Sequence, residues 1–230
     1  WQDTTTGETF EDRIPADPSD VVARFQHSDT ADAAVEAAVE AQPDWDATPG
    51  PTRGEVLKRT AERLEPRASE VAESPTREEG KTLEESRPTV QRAVDIFHYY
   101  GELAREFRGE VRAPSSRDRR LYTLREPIGI AALITPWNYP IAIPAWKLAP
   151  SPASGNAVVF KPAMDASAAA TALVEYLEAA GVPDGVVNLV TGPGSAVGGR
   201  FVEHDAVDLV SFTGSKGVVK HVYRQATAGG

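Results

Sequence analysis

The chain has 230 residues, 41% hydrophobic and 25% charged, enough to bury a substantial core with the composition of a soluble globular protein. A formal net charge of -10, with Arg117, Arg119 and Arg120 around Asp118 as the densest basic cluster, excludes functions that rest on binding the nucleic-acid backbone. No apolar run approaches the ~20 residues that cross a bilayer, and Trp1 to Thr6 show neither a basic n-region nor an apolar h-region, so a cytoplasmic location without membrane partners is expected.

The first residue is Trp rather than Met, which reads as a trimmed or incomplete N-terminus. Cysteine is absent, and Lys58, Lys81, Lys147, Lys161, Lys216 and Lys220 are the only lysines among 24 basic residues. Such an acidic, lysine-poor surface resembles that of proteins from salt-loaded cytoplasm, where repulsion is screened over a few Å. An acidic mesophilic protein has the same composition.

In chain order, Ala34, Val35, Ala38 and Val39 recur at helical spacing and predict a helix over 30–42, with Ser28, Asp29 and Thr30 as candidate caps. A second helix is predicted over 51–73, with Pro51 in its first turn and Pro66 ending or kinking it. A third, over 87–107, sets Val90, Val94, Phe97, Leu103 and Phe107 on one broad side. Segments 110–113 and 119–125 read as two extended strands joined by a turn-rich linker, a ribbon that has few ways to bury itself alone.

Beyond residue 127 short apolar runs alternate with helical patterns. The predicted strands are 128–134, 157–160, 186–190 and 207–212; the predicted helices are 141–149, 167–180, 195–204 and one that begins near Ser215. This alternation implies right-handed βαβ units and a parallel sheet covered on both faces, whose ligands bind at the carboxyl ends of the strands.

Those ends hold the residues with chemical potential. The first carries Thr135-Pro136-Trp137-Asn138-Tyr139-Pro140, a proline-braced loop displaying one amide; a fixed amide can stabilise an oxyanion, or can simply bond its own backbone in a turn. The second carries Lys161 before Pro162, placed to meet a ribose or phosphate oxygen, or to snorkel. At the third, Gly192, Gly194 and Gly198 have a GxGxxxG spacing, one residue longer than the dinucleotide fingerprint, which a tight strand-to-helix turn explains equally. At the fourth, Gly214-Ser215 opens a helix, where free N–H groups favour a phosphate, or where serine acts as a cap alone. His27, His98, His204 and His221 lack ligand spacing, and no metal is expected.

Together Ile134-Thr135-Pro136-Trp137-Asn138, Ala145-Trp146-Lys147, Val159-Phe160-Lys161-Pro162, Gly181-Val182-Pro183-Asp184-Gly185-Val186-Val187-Asn188 and Ser211-Phe212-Thr213-Gly214-Ser215 resemble the aldehyde dehydrogenase superfamily. The match covers nearly the whole chain and corresponds to the N-terminal half of such an enzyme, nearest to bacterial and archaeal semialdehyde dehydrogenases such as those acting on 2-oxoglutarate semialdehyde. The resemblance implies an α/β fold with a Rossmann-like parallel coenzyme-binding sheet. It divides the chain into an N-terminal helical part of the coenzyme domain (1–109), the start of an oligomerisation ribbon (110–126) and a Rossmann-like βαβ part (127–230).

It further implies NAD or NADP as cofactor, an aldehyde as substrate and a homo-oligomeric full-length enzyme. Asn138 would be the side-chain arm of the oxyanion hole, and Lys161 would bind the adenosine ribose. Ser215 and its helix, with Phe212, Thr213 and Gly214, would hold the pyrophosphate, while Ile134, Thr135, Pro136 and Trp137 would line the cofactor's path. Gly194 and Gly198 would let a helix approach the adenine end, and Tyr139, Ile143 and Trp146 would line the substrate tunnel.

Departures from the family pattern carry expectations of their own. The family's glutamate motif would follow Gly229-Gly230, and its nucleophilic cysteine would lie further on, so this chain alone is expected to be inactive and to leave apolar interfaces open. Met164 stands where NAD-preferring members often carry an acid that repels a 2'-phosphate, which leaves NADP open. Pro152 within a family helix is expected to cost ~3 kcal/mol or more. With Pro75 interrupting another helix, it suggests a partial or decaying gene product.

Overall fold

The computed structural model describes residues 4–228, so readings that rest on residues 1–3 and 229–230, the start of the chain and its stopping point, lie outside the described residues. An antiparallel hairpin comes first, β1 (Thr9–Ile14) and β2 (Asp17–Gln26). The segment 1–109, read from sequence as an N-terminal helical part, thus also contains a hairpin ahead of its helices. Most hairpin positions are polar and partly exposed, so no clear alternation marks them in sequence. Its far end is tied down: Thr191 Oγ1 donates to the Gln26 carbonyl and the Ser28 N–H to that of Thr191.

Five helices follow: α1 (Ala31–Ala47), α2 (Gly50–Leu64), α3 (Ala68–Val71), α4 (Glu73–Glu79) and α5 (Leu83–Leu103). Helix α1 runs through Pro43, past its predicted end, because Trp45 is buried and its indole N–H donates to the Pro152 carbonyl at 2.9 Å. Pro66 ends α2 as expected, in a tight helical turn, Glu65–Arg67. Helix α5 starts four residues before the prediction, at a reciprocal capping box in which Thr82 and Glu85 satisfy each other's backbone N–H. Pro75 falls in the first turn of α4, where its missing N–H is harmless.

A two-stranded ribbon, β3 (Val111–Arg112) and β4 (Leu121–Tyr122), stands out with Val111, Tyr122 and Leu124 exposed. Then come β5 (Ile130–Ile134), α6 (Ala142–Leu148), α7 (Pro150–Ala153), β6 (Ala157–Lys161), α8 (Ser167–Ala179), β7 (Val187–Leu189), α9 (Gly199–Glu203), β8 (Leu209–Phe212) and α10 (Lys216–Ala226). Helix α7 carries Pro150 and Pro152 in its first turn. Ala149 between α6 and α7 keeps helical φ/ψ and donates to Ala145, and Ala153 and Ser154 donate to Ala149 and Pro150, so the backbone stays helical around Pro150 and Pro152.

Strands β7-β6-β5-β8 form one parallel sheet in that order. Its alternating side chains fill two layers. Ala131, Leu133, Val158 and Phe160 pack with α2, α5, α6 and α8, whereas Ile130, Ala132, Ala157 and Val159 pack with α1 and α9. The Arg53 guanidinium, buried under these helices, donates to the carbonyls of Trp45, Asp46, Thr48 and Ala153, and so closes the C-terminal ends of α1 and α7 together. Among the described residues no helix is long and apolar enough to cross a membrane.

Two features are open to stability measurements. At the α2–α5 crossing a Cβ on Gly54 would collide with the Gly101 carbonyl, so Gly54→Ala should destabilise the chain by about 1–3 kcal/mol in denaturant unfolding. The Glu78 carboxylate accepts the Ala168 and Ala169 N–H groups at the start of α8, yet burial and the neighbouring Asp12 carboxylate push its pKa from 4.5 up to about 9. The folded chain then keeps a proton that the unfolded chain releases, so stability falls as pH rises across that window. Glu78→Gln should flatten the decline; an unchanged slope would place the proton elsewhere.

Candidate functional site

The sheet's order creates its own crevice. From the central β5 the chain winds outward to β6 and β7, then returns to place β8 on the other flank of β5, which is a topological switch point. Register makes the carboxyl ends level: Ile134 pairs with both Lys161 and Phe212, and the next amides continue the ladder, Thr135 N–H to the Lys161 carbonyl at 3.2 Å and Thr213 N–H to the Ile134 carbonyl at 3.0 Å. The loops that carry Thr135, Pro162 and Thr213 therefore leave one crest side by side.

Along this crest the predicted residues fall into groups. Ile134 and Lys161 face the wide helical turn Gly194–Gly198, and a Cβ on Gly198 would lie 3.6 Å from both Ile134 Cδ1 and Lys161 Cδ. Lys161 is buried to 3% exposure with its Nζ on the Pro162 carbonyl, and loss of water draws its pKa from 10.5 down to about 8. Thr135 is also buried, and its hydroxyl has no hydrogen-bond partner among the described residues. Met164 begins a tight turn after β6 and is half-buried.

On the other flank, Ser215 caps α10 by accepting the Val218 N–H, which leaves the first N–H groups of the helix aimed outward beside the crest. Gly214 is required there, because a Cβ would approach the Phe212 ring to 2.6 Å. Helix α10 buries none of its residues, and Val218, Val219 and Tyr223 are exposed on it.

Between the flanks rises the 135–140 loop. Trp137, Asn138 and Tyr139 are exposed, and the Asn138 amide makes no hydrogen bond among the described residues, so it is not consumed by its own turn. Tyr139 lies just before α6, and Ile143 and Trp146 lie on it; Tyr139 and Trp146 are exposed, but Ile143 is buried at 7% exposure. The crest is an open ledge, whereas a cleft of about 380 Å³ lies at the far sheet edge, between Ala33 and Ala37 of α1, Leu177 of α8 and Val187 of β7.

Two lysines near the crest were not singled out from sequence. Lys147 reaches from α6 to donate to Ser211 Oγ on β8 at 2.7 Å, and burial draws its pKa down to about 8. Lys81, between α4 and α5, donates to the Asn138 carbonyl. The capping box that follows Lys81 was the available sequence signal, since it fixes where α5 begins.

Residues 1–230 match the aldehyde dehydrogenase family along their whole length. The chain belongs to that family. It is 52% identical over 232 residues to an alpha-ketoglutarate semialdehyde dehydrogenase of Haloferax volcanii, covering 100% of this chain and 48% of the relative. Among solved structures, betaine aldehyde dehydrogenase from Staphylococcus aureus in complex with NAD+ superposes with a TM-score of 0.95 at 32% identity, over 98% of this chain and 46% of that one. An NADP dependent enzyme from E. coli gives 0.95 and 32%, over 98% and 47%. This aldehyde dehydrogenase chain thus spans about half the length of the relatives it matches.

For buried Lys161 and half-buried Lys147 of this aldehyde dehydrogenase chain the sign of the pH effect is opposite to that of Glu78. The folded state sheds their protons before the unfolded state does, so their stabilising contribution is complete above 10.5 and is lost as pH falls through about 8. Lys147→Met should raise the denaturant midpoint at neutral pH and reduce the gain between pH 8 and 10. No change at neutral pH would show that Ser211 offsets the cost of burial.

Proposed function

We propose that the chain is the coenzyme-binding portion of an NAD(P)-dependent aldehyde dehydrogenase that oxidises an aldehyde, of the 2-oxoglutarate semialdehyde class, to a carboxylate. The level ends of β5, β6 and β8 at the switch point carry this reading, because they bring Thr135, Lys161 and the start of α10 to one crest. The 52% identity to the Haloferax volcanii semialdehyde dehydrogenase supports the substrate class.

The donor set suits a dinucleotide. The Thr135 hydroxyl is buried without a partner among the described residues, Lys161 offers an ammonium beside the ledge, and the N-terminus of α10 favours a phosphate. Lys161 would hold the adenosine ribose. Thr213, Gly214 and Ser215, with Phe212, would hold the pyrophosphate, and Ile134, Thr135, Pro136 and Trp137 would line the path toward the reacting end. Gly194 and Gly198 would admit the adenine, and the neutral Met164 leaves the 2'-position unguarded, so NAD and NADP are both acceptable. When bound, the nicotinamide supplies a hydride acceptor.

Asn138 would donate its free amide to the developing oxyanion of the aldehyde, with Tyr139 and Trp146 forming the exposed wall of the substrate path and Ile143 backing them from the core. The exposed 110–126 ribbon would pack on another subunit in a homo-oligomer. The family reaction proceeds through a thiohemiacetal, which requires a cysteine thiolate, and this chain has no cysteine. By itself it would bind the dinucleotide without oxidising aldehyde. That same absence favours a second reading, a dinucleotide-binding chain with no turnover at all.

Titration with NAD+ and NADP+ should change Trp137 emission saturably, a signal that Trp137→Phe removes. Loss of one charge-assisted contact weakens binding by about 1.5–3 kcal/mol, so Lys161→Ala with Ser215→Ala should reduce affinity at least tenfold. Undiminished binding by the double variant would defeat the site assignment, and aldehyde-dependent NADH formation by the 230-residue chain would defeat the inactivity.

A further inference from the structure

We propose that Lys81 is a positioning residue for the carbonyl-binding loop: held rigidly between two helix caps, it fixes the backbone at Asn138 and the ring of Tyr139 from beneath. The inference rests on the reading of Asn138 as the oxyanion donor, but its geometry stands apart from that reading. Lys81 Nζ donates to the Asn138 carbonyl, lies 4.3 Å from the centroid of the Tyr139 ring and sits 2.8 Å from a Glu79 carboxylate oxygen. One ammonium therefore grips the two consecutive residues of the loop whose side chains face the open ledge.

The anchorage is preorganised. Gly80 closes α4 with a left-handed φ of 72°, and Thr82 opens α5 with its capping box, so neither neighbour of Lys81 is free to swing. The lysine side chain keeps 23% exposure while the Glu79 carboxylate keeps only 2%. Burial raises the pKa of Glu79, and the Lys81 ammonium 2.8 Å away opposes that rise. Buried and otherwise unpartnered among the described residues, that carboxylate needs the ammonium nearby. The ammonium in turn lies over the negative face of an aromatic ring, a placement worth more as water is excluded.

An Asn138 amide can stabilise an oxyanion only if it is already oriented, because reorganisation at the moment of reaction forfeits the gain. Pro136 and Pro140 limit the loop's ends, and the Ile143 N–H bonds the Tyr139 carbonyl. Lys81 is the contact that fixes its middle. A role confined to neutralising Glu79 would make the loop indifferent to Lys81 once Glu79 is neutral as well, and this separates the two explanations.

Hydrogen exchange of the segment 136–143 in the 230-residue chain reads the loop directly. Lys81→Met should speed its exchange about tenfold, and Lys81→Arg should return it to within about twofold of wild type, since guanidinium also suits a carbonyl and an aromatic face. Lys81→Met combined with Glu79→Gln removes the stranded buried charge; it should recover the unfolding midpoint but not the loop's protection. Wild-type protection in that double variant would overturn the proposal, and because the double variant leaves no stranded charge at position 79 it serves even if the single one fails to fold. Failure of NAD+ and NADP+ to bind the wild-type chain would instead defeat the coenzyme-site reading and leave the exchange result standing.

Discussion

Strand β5 hydrogen-bonds to β6 on one side and β8 on the other, with Ile134 level with both Lys161 and Phe212. Both faces of these strands are occupied, Leu133 and Phe160 toward one helical layer and Ala132 and Val159 toward the other. A slip of one residue would exchange the two faces and put every side chain in the wrong layer. Core packing thus sets where the strands end, and the ends set which functional groups share the crest. The cost of moving the site is the cost of repacking the core.

Polar side chains serve the same constraint at the other end of the sheet. The Asn156 side-chain Oδ1 accepts the Ile128 and Gly129 N–H groups at 2.7 and 3.0 Å, and Asp208 Oδ2 accepts that of Ile130 at 2.8 Å, which fixes how β5 enters the sheet. Gly129 holds φ at 126° beside Asp208, where a Cβ would strike the carboxylate. Arg53 and Glu78 do comparable work at helix termini, each satisfying several backbone groups that would otherwise be buried alone. Arg53 thus brings a buried charge and Glu78 a proton-retaining carboxyl to loose ends of backbone, while Lys161 and Lys147 bring amines to the crest.

The parallel βαβ half was legible because four short apolar runs rich in β-branched residues alternate with helical patterns, and the structure has four parallel strands within those runs. The strand-end motifs were legible for the same reason, since a parallel sheet sends all its carboxyl ends to one side. The prolines were less legible: α1 runs through Pro43 to Ala47 and the backbone stays helical around Pro150 and Pro152, with Trp45 and Arg53 bonding the Pro152 and Ala153 carbonyls from elsewhere in the fold. The N-terminal hairpin was missed because its strands show no clean alternation, and its docking on Glu78 and Thr191 is long-range.

By itself the sequence determined the parallel sheet, the identity of the groups at its strand ends, the family, and the absence of a thiolate. Each of those depends on local pattern or on composition, which the order of residues states outright. Tertiary structure alone decided that β8 flanks β5, that the Asn138 amide is left free, that Ile143 turns inward, and that Lys81 lies beneath the Asn138 loop, 57 residues away along the chain. Such contacts join segments distant in sequence, and their partners are chosen by packing and by the desolvation of charge rather than by any local signal.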